Sequence, residues 1–156
     1  MIEIERKFLV ISDEFKKEAK NSTRIVQGFL NTQKERTVRV RIRGKYAFLT
    51  VKGESCNKGL SRFEWEKEIE VEEAENLLKL CEKGIIDKIR YEIEVGNHIF
   101  EVDVFFGDNE GLIVAEVELE NDNETFEKPK WLGKEVTGDS RYYNAQLIKR
   151  PYQSWM

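Results

Sequence analysis

Strict alternation of apolar and polar residues recurs along this chain. Residues 2–10, 24–31, 36–43, 46–52, 61–70, 86–95, 98–106 and 112–120 each read as a strand with one apolar face. Helical patterns are fewer. Ser12 precedes a short Lys-rich stretch that it can cap, and Val71, Ala74, Leu77, Leu78 and Cys81 form one helical stripe before Gly84. A last helix is expected from about Ser140 to Lys149, capped by Asp139 or Ser140 and stopped by Pro151. Gly44-Lys45 and Gly96-Asn97 are short enough to be hairpin turns. So many consecutive strands with tight connections point to an antiparallel meander, and closing it into a barrel removes the exposed edges of an open sheet. The expected class is α+β: an eight-stranded antiparallel closed β-barrel with a few flanking helices, in one domain over residues 1–156.

Side chains alternate across a strand, so each strand carries two stripes. In the first, Ile2, Ile4, Phe8 and Val10 oppose Glu3, Glu5 and Lys7; in the third, Val38, Val40 and Ile42 oppose Arg39, Arg41 and Arg43. Ala47, Leu49 and Val51 oppose Thr50 and Lys52, and Ile89, Tyr91 and Ile93 oppose Lys88 and Arg90. Phe100, Val102 and Val104 oppose Glu101 and Asp103, while Ala115, Val117 and Leu119 oppose Glu116, Glu118 and Glu120. Each charged stripe alone reads equally well as the wet side of a sheet. The signs, however, are segregated: Glu3/Glu5 and Glu116/Glu118 are acidic pairs, and Arg39/Arg41/Arg43 is a basic triplet. Like charges two residues apart on one face repel unless an opposite charge lies between them. A polyanion together with a divalent cation supplies that charge. Carboxylate oxygens suit Mg²⁺ or Mn²⁺, and guanidinium or ammonium groups suit phosphate. The pattern by itself leaves both readings open.

Composition narrows the function classes. Of the 156 residues 36% are charged and 40% apolar, so the chain has enough apolar residues for a core and is not of disordered type. A formal net charge of -4 offers no general attraction for nucleic acid, and an anion must be held by a local cluster. The charged opening residues do not resemble a signal peptide, and no apolar run reaches the ~20 residues of a membrane span, so a cytoplasmic protein without membrane association is expected. Cys56 and Cys81 are far apart and neither neighbours His98, the single histidine, which disfavours zinc and disulfide frameworks.

Glu3-x-Glu5-x-Lys7 resembles the opening signature of the CYTH superfamily, the triphosphate tunnel metalloenzymes, and later segments agree in order. Similar to short bacterial inorganic triphosphatases are Gln27-Gly28-Phe29-Leu30, Val38-Arg39-Val40-Arg41, Leu49-Thr50-Val51-Lys52, Leu60-Ser61-Arg62-x-Glu64-x-Glu66, Lys88-x-Arg90-Tyr91, Glu101-x-Asp103-x-Phe105, Glu116-Val117-Glu118 and Gly133-x-Glu135-Val136-Thr137. The resemblance spans nearly the whole chain. It implies a tunnel with charged side chains inward and apolar stripes outward, toward helices or a second copy in a homodimer. It implies metal-dependent hydrolysis of tripolyphosphate to pyrophosphate and phosphate. By it, Glu3, Glu5, Glu116 and Glu118 hold Mg²⁺ or Mn²⁺ with Asp103 nearby, and Lys7, Arg39, Arg41, Lys52, Arg62, Lys88 and Arg90 line the polyphosphate path. Glu5, Glu64 and Lys88 are the catalytic candidates, and Glu3 and Glu118 are further candidates for activating water. Lys134 and Arg141 either close one mouth or are solvated. Relatives often carry tyrosine where this chain has Phe29, so a Tyr–Lys dyad does not carry over. The competing readings are an organic triphosphatase, a class IV-like adenylate cyclase and a non-catalytic polyphosphate or nucleotide sensor.

Overall fold

The computed structural model describes residues 2–155. The strands are β1 (Ile2–Val10), β2 (Asn21–Asn31), β3 (Arg36–Arg43), β4 (Tyr46–Gly53), β5 (Ser61–Ile69), β6 (Ile86–Val95), β7 (His98–Phe105), β8 (Ile113–Glu118) and β9 (Leu132–Glu135). The helices are α1 (Phe15–Glu18), α2 (Val71–Leu78) and α3 (Asn144–Leu147). The sheet runs β5-β4-β3-β2-β6-β7-β8-β1-β9, and β5 pairs with β1 to close eight strands into a barrel. That closing seam is short: Ile2, Glu3 and Ile4 lie opposite Phe63, Arg62 and Ser61. The hairpins β3–β4 and β6–β7 turn at Gly44 and Gly96, with φ of 60° and 62°, a region glycine enters without steric cost.

The alternation places the apolar core outside the barrel. Phe8, Ile93, Phe100, Val102, Ala115 and Val117 project outward and are buried beneath Phe15 of α1 and Trp131 of the segment before β9. Val40 and Ala47 are buried under Ala74 of α2, with Leu77, Leu78 and Cys81 packed around them, as the helical stripe predicts. A capping box holds the start of α2, with Glu70 and Glu73 each accepting from the other's backbone N–H. The end of that helix region sits directly on the β2 backbone: a Cβ at Gly28 would lie 3.0 Å from both Cβ and Sγ of Cys81.

The inward stripes change character at one end of the barrel. Leu9 follows Lys7, Ile86 precedes Lys88, Phe105 follows Asp103 and Val114 precedes Glu116, all at the same parity as their charged neighbours. These four pack with Tyr142 and Leu147 into an apolar cluster. The C-terminal segment thereby seals this part of the interior, and the charged positions are left around a cavity.

Several local expectations differ. Ser12 is not the cap of α1, which follows Glu14 with no side-chain cap; its Oγ accepts from the Glu14 N–H at 3.4 Å, and β2 begins at Asn21 rather than residue 24. Instead of one helix from Ser140, a 3-10 turn at Ser140–Tyr142 is followed by α3, because Tyr143 between them is extended with φ −72° and ψ 135°. Asp139 does cap the turn, its Oδ1 accepting from the Arg141 N–H at 3.1 Å. β8 stops at Glu118 rather than residue 120, and the unexpected β9 is four residues long, too short for a legible period. Among the described residues no helix is long and apolar enough to cross a membrane.

Candidate active site

A cavity of about 520 Å³ occupies the barrel interior. Its wall includes Glu3, Glu5 and Lys7 from β1, Arg39, Arg41 and Arg43 from β3, and Lys52 from β4. It continues with Arg62, Glu64 and Glu66 from β5, Lys88 and Arg90 from β6, Glu101 from β7, and Glu116 and Glu118 from β8. Every side chain expected from the sequence to bind metal or substrate or to act in catalysis lines this space except Asp103, which is buried. Lys134 and Arg141 do not line it; Arg141 turns outward to Asp139, with Nη2 and Oδ2 2.7 Å apart.

On the acidic side, β1 and β8 set Glu5 opposite Glu118 and Lys7 opposite Glu116. Burial first, then the adjacent Glu116 and Glu3, holds the Glu5 carboxyl well above the usual carboxylate range. Burial would raise Glu116 too, but Lys7, the neighbouring Glu5 carboxyl and Arg90 outweigh it and hold Glu116 well below that range. Glu118 is raised by burial and by Glu3, Glu101 and Glu64. A dication would relieve this crowding of carboxyl groups, and their oxygens are the hard donors that Mg²⁺ and Mn²⁺ take. Among the described residues no three carboxylate, imidazole or thiol groups converge on one point.

The basic side is under-neutralised. Glu66 Oε2 receives Arg39 Nη2 at 3.4 Å, Arg41 Nη2 at 3.3 Å and the Thr50 hydroxyl at 2.7 Å, so one carboxylate serves two guanidinium groups. Among the described residues the buried Nε atoms of Arg39 and Arg41 have no hydrogen-bond partner. Burial and the neighbouring cations Arg39 and Arg90 bring Arg41 down to about 9, still charged at neutral pH. Buried donors without acceptors beside unshared positive charge are what an anion would satisfy. Lys52 is better matched, with Nζ 2.9 Å from Glu3 and 3.3 Å from Glu64, while Arg62 donates to the Gly53 carbonyl at 3.2 Å and the Thr37 hydroxyl at 3.3 Å.

Asp103 joins the two basic residues of β6. Its Oδ1 and Oδ2 accept from Arg90 Nε and Nη2 at 2.8 and 2.9 Å, and Lys88 Nζ lies 2.8 Å from Oδ2. Burial opposes its ionisation, yet Arg90 and Lys88 prevail and bring Asp103 down to about 2. Burial, partly offset by Asp103, lowers the Lys88 ammonium to about 8.

Sequence reasoning missed Glu66, whose parity with Arg62 and Glu64 was the available signal. It also missed Tyr143 and Asn144, for which no pattern pointed inward. Asn144 Oδ1 accepts from Lys88 Nζ at 3.2 Å, and Lys7 Nζ sits 5.1 Å from the Tyr143 ring centroid. Phe29 lines the cavity and brings no hydroxyl to it. Phe48 lies under the Arg43 guanidinium, whose Cζ is 4.9 Å from the ring centroid. His98 pairs with Glu124 outside the cavity, and both cysteines are free.

The CYTH domain model matches residues 1–152. An inorganic triphosphatase of Acetivibrio thermocellus is 47% identical over 98% of this chain and 97% of its own length. An inorganic triphosphatase of Nitrosomonas europaea is 38% identical over 94% of this chain and 97% of its own. The crystal structure of the inorganic triphosphatase NE1496 superposes with a TM-score of 0.66 at 34% identity, covering 93% of this chain and 96% of that one. The chain belongs to the CYTH domain family.

Proposed function

From that membership and from the cavity's charge pattern, we propose that this protein hydrolyses inorganic tripolyphosphate to pyrophosphate and phosphate with Mg²⁺ or Mn²⁺. The two relatives named inorganic triphosphatase match almost end to end, which supports the same activity here. The observation that carries the reading is the pair of buried, partnerless Nε atoms of Arg39 and Arg41 in a wall facing crowded carboxylates. A substrate anion and a cation together neutralise both sides at once.

Phosphoryl transfer needs little covalent help from a protein and depends on positioning and charge neutralisation. Lys7, Arg39, Arg41, Lys52, Arg62, Lys88 and Arg90 bind the polyphosphate and withdraw charge from its equatorial oxygens. Glu3, Glu5, Glu116 and Glu118 hold the cation, with Asp103 orienting Lys88 and Arg90 beside them. When bound, a divalent cation polarises phosphoryl oxygens and eases departure of pyrophosphate. Glu64 and Glu5 are the candidate carboxylates for taking the proton of the attacking water, Glu5 only in its ionised form, and Asn144 Oδ1 accepts from the Lys88 ammonium at the cavity wall.

The test is phosphate release from tripolyphosphate, ATP, thiamine triphosphate and pyrophosphate, each with Mg²⁺, Mn²⁺ or EDTA. Release from tripolyphosphate with metal, lost in EDTA, is expected. A preference for ATP or thiamine triphosphate would move the substrate to an organic triphosphate, and release from none would end the hydrolase reading. Tripolyphosphate with Mg²⁺ is also expected to raise the melting temperature by several degrees over sodium chloride at matched ionic strength, since a ligand at about 100 times its Kd adds ~2.7 kcal/mol. An unchanged melting temperature would remove the case for an anion site in the barrel.

A further inference from the structure

Gln27 is the one fully buried side chain whose polar atoms all lack partners among the described residues. It is 0% exposed, and neither Oε1 nor Nε2 has a hydrogen-bond partner. On β2 it lies opposite Arg41 of β3 and Ile86 of β6, both inward-facing, so its carboxamide points into the barrel wall beside the cavity. Its register neighbour Arg41 has the orphaned Nε already described. Burying an unpartnered carboxamide is costly, and an apolar residue of the same shape would relieve that cost. A residue kept here for packing alone would be leucine or methionine.

The two atoms of the amide ask for different partners. Nε2 and the neighbouring Arg39 and Arg41 Nε are donors, and phosphate oxygens satisfy donors. Oε1 is an acceptor, and a polyphosphate brings it nothing; a water, a hydroxyl or an N–H donor does, and the N–H donors beside it, Arg39 and Arg41 Nε, are the ones a phosphate would claim. On these grounds we infer that, in the loaded site, Gln27 donates through Nε2 to a phosphate oxygen and accepts through Oε1 from the attacking water. The inference rests on the tripolyphosphatase reading. Gln27 is not among the residues that line the cavity, whereas its register neighbour Arg41 is and leans on Glu66, so the inference requires that an anion drawing Arg41 toward itself opens the way to the amide. One short carboxamide then sets a water against a phosphoryl group, which is the positioning that hydrolysis requires. The water oxygen forms a bond to the terminal phosphorus as the bridging P–O bond breaks, and that electron pair leaves on pyrophosphate. The water's proton passes to a carboxylate of the acidic wall, and Gln27 itself neither gains nor loses one.

The test compares wild type with Gln27→Met, which keeps length and removes both polar atoms. The unliganded variant is expected to melt at or above the wild-type temperature, while kcat on tripolyphosphate with Mg²⁺ falls about tenfold to a hundredfold, the usual cost of losing one well-placed polar contact to a reacting group. A crystal structure with a non-hydrolysable tripolyphosphate analogue and Mg²⁺ should place an ordered water within about 3 Å of Oε1. A kcat within about threefold of wild type overturns the inference, and so does a large fall in the unliganded melting temperature, which would mean that the amide has internal partners. Wild type inactive on tripolyphosphate would instead overturn the functional reading beneath it, so the two failures are distinguishable.

Discussion

Glu5→Gln is expected to lower metal-dependent phosphate release from tripolyphosphate by about a thousandfold or more, because it removes a charged oxygen ligand where transition-state charge is neutralised. The fold should survive. In the unliganded protein burial, Glu116 and Glu3 all disfavour a charge on Glu5, and glutamine removes that charge at unchanged side-chain size. The unliganded melting temperature should therefore stay level or rise, while the stabilisation by Mg²⁺ shrinks. Steady-state assays and thermal melts with and without Mg²⁺ separate the two effects. Turnover within about tenfold of wild type would place the cation elsewhere in the barrel.

Asp103→Asn carries the largest expected change in stability. It leaves Lys88 and Arg90 buried beside each other without their shared carboxylate, and removing one partner of a buried ionic group typically costs about 3–5 kcal/mol. In a chain of this size that amounts to a fall of roughly 10 °C in melting temperature. The pH dependence gives a second reading. Asp103 titrates at about 2 in the folded protein against an ordinary 3.8. A depressed carboxylate contributes stability that is present above the unfolded value and lost as pH falls through the folded one. Wild type should thus lose this contribution between about pH 4 and pH 2, and Asp103→Asn should lack that component of the acid transition. Equal acid profiles for the two proteins, measured by circular dichroism, would show that the pair with Lys88 and Arg90 is not formed in solution. Added tripolyphosphate should recover part of the loss, since its charge substitutes for the missing carboxylate.

Much of the site was visible in the alternation. The parity that groups Glu3 with Glu5, Arg39 with Arg41, and Lys88 with Arg90 is a property of extended chain, so it survives whatever the strands later pair with. The direction of those stripes was not: an alternating strand is equally consistent with a wet face outward and a charged face inward. The resemblance to tunnel enzymes supplied the direction, and the outward burial of Phe100, Val102 and Val117 agrees with it. Residues of the C-terminal segment escaped notice for a different reason. Tyr143 and Asn144 belong to a broken helix with no clean period, and they reach the cavity only because that segment folds back over the apolar end of the barrel.

Asp103 illustrates the remaining gap. The resemblance to tunnel enzymes implied a place near the metal for it, and only the pairing of β7 with β6 sets it opposite Arg90 and within reach of Lys88. Gln27 is similar, since nothing local distinguishes a glutamine with satisfied bonds from one left without partners. The amino-acid order alone determined which residues share a face, where the chain turns, and that like charges are gathered in pairs and triplets, because these follow from backbone geometry within one strand. Which faces turn inward, which carboxylate meets which cation, and which polar atoms remain unpartnered were decided only when distant strands closed on one another, because burial and electrostatic pairing depend on neighbours far away in the chain.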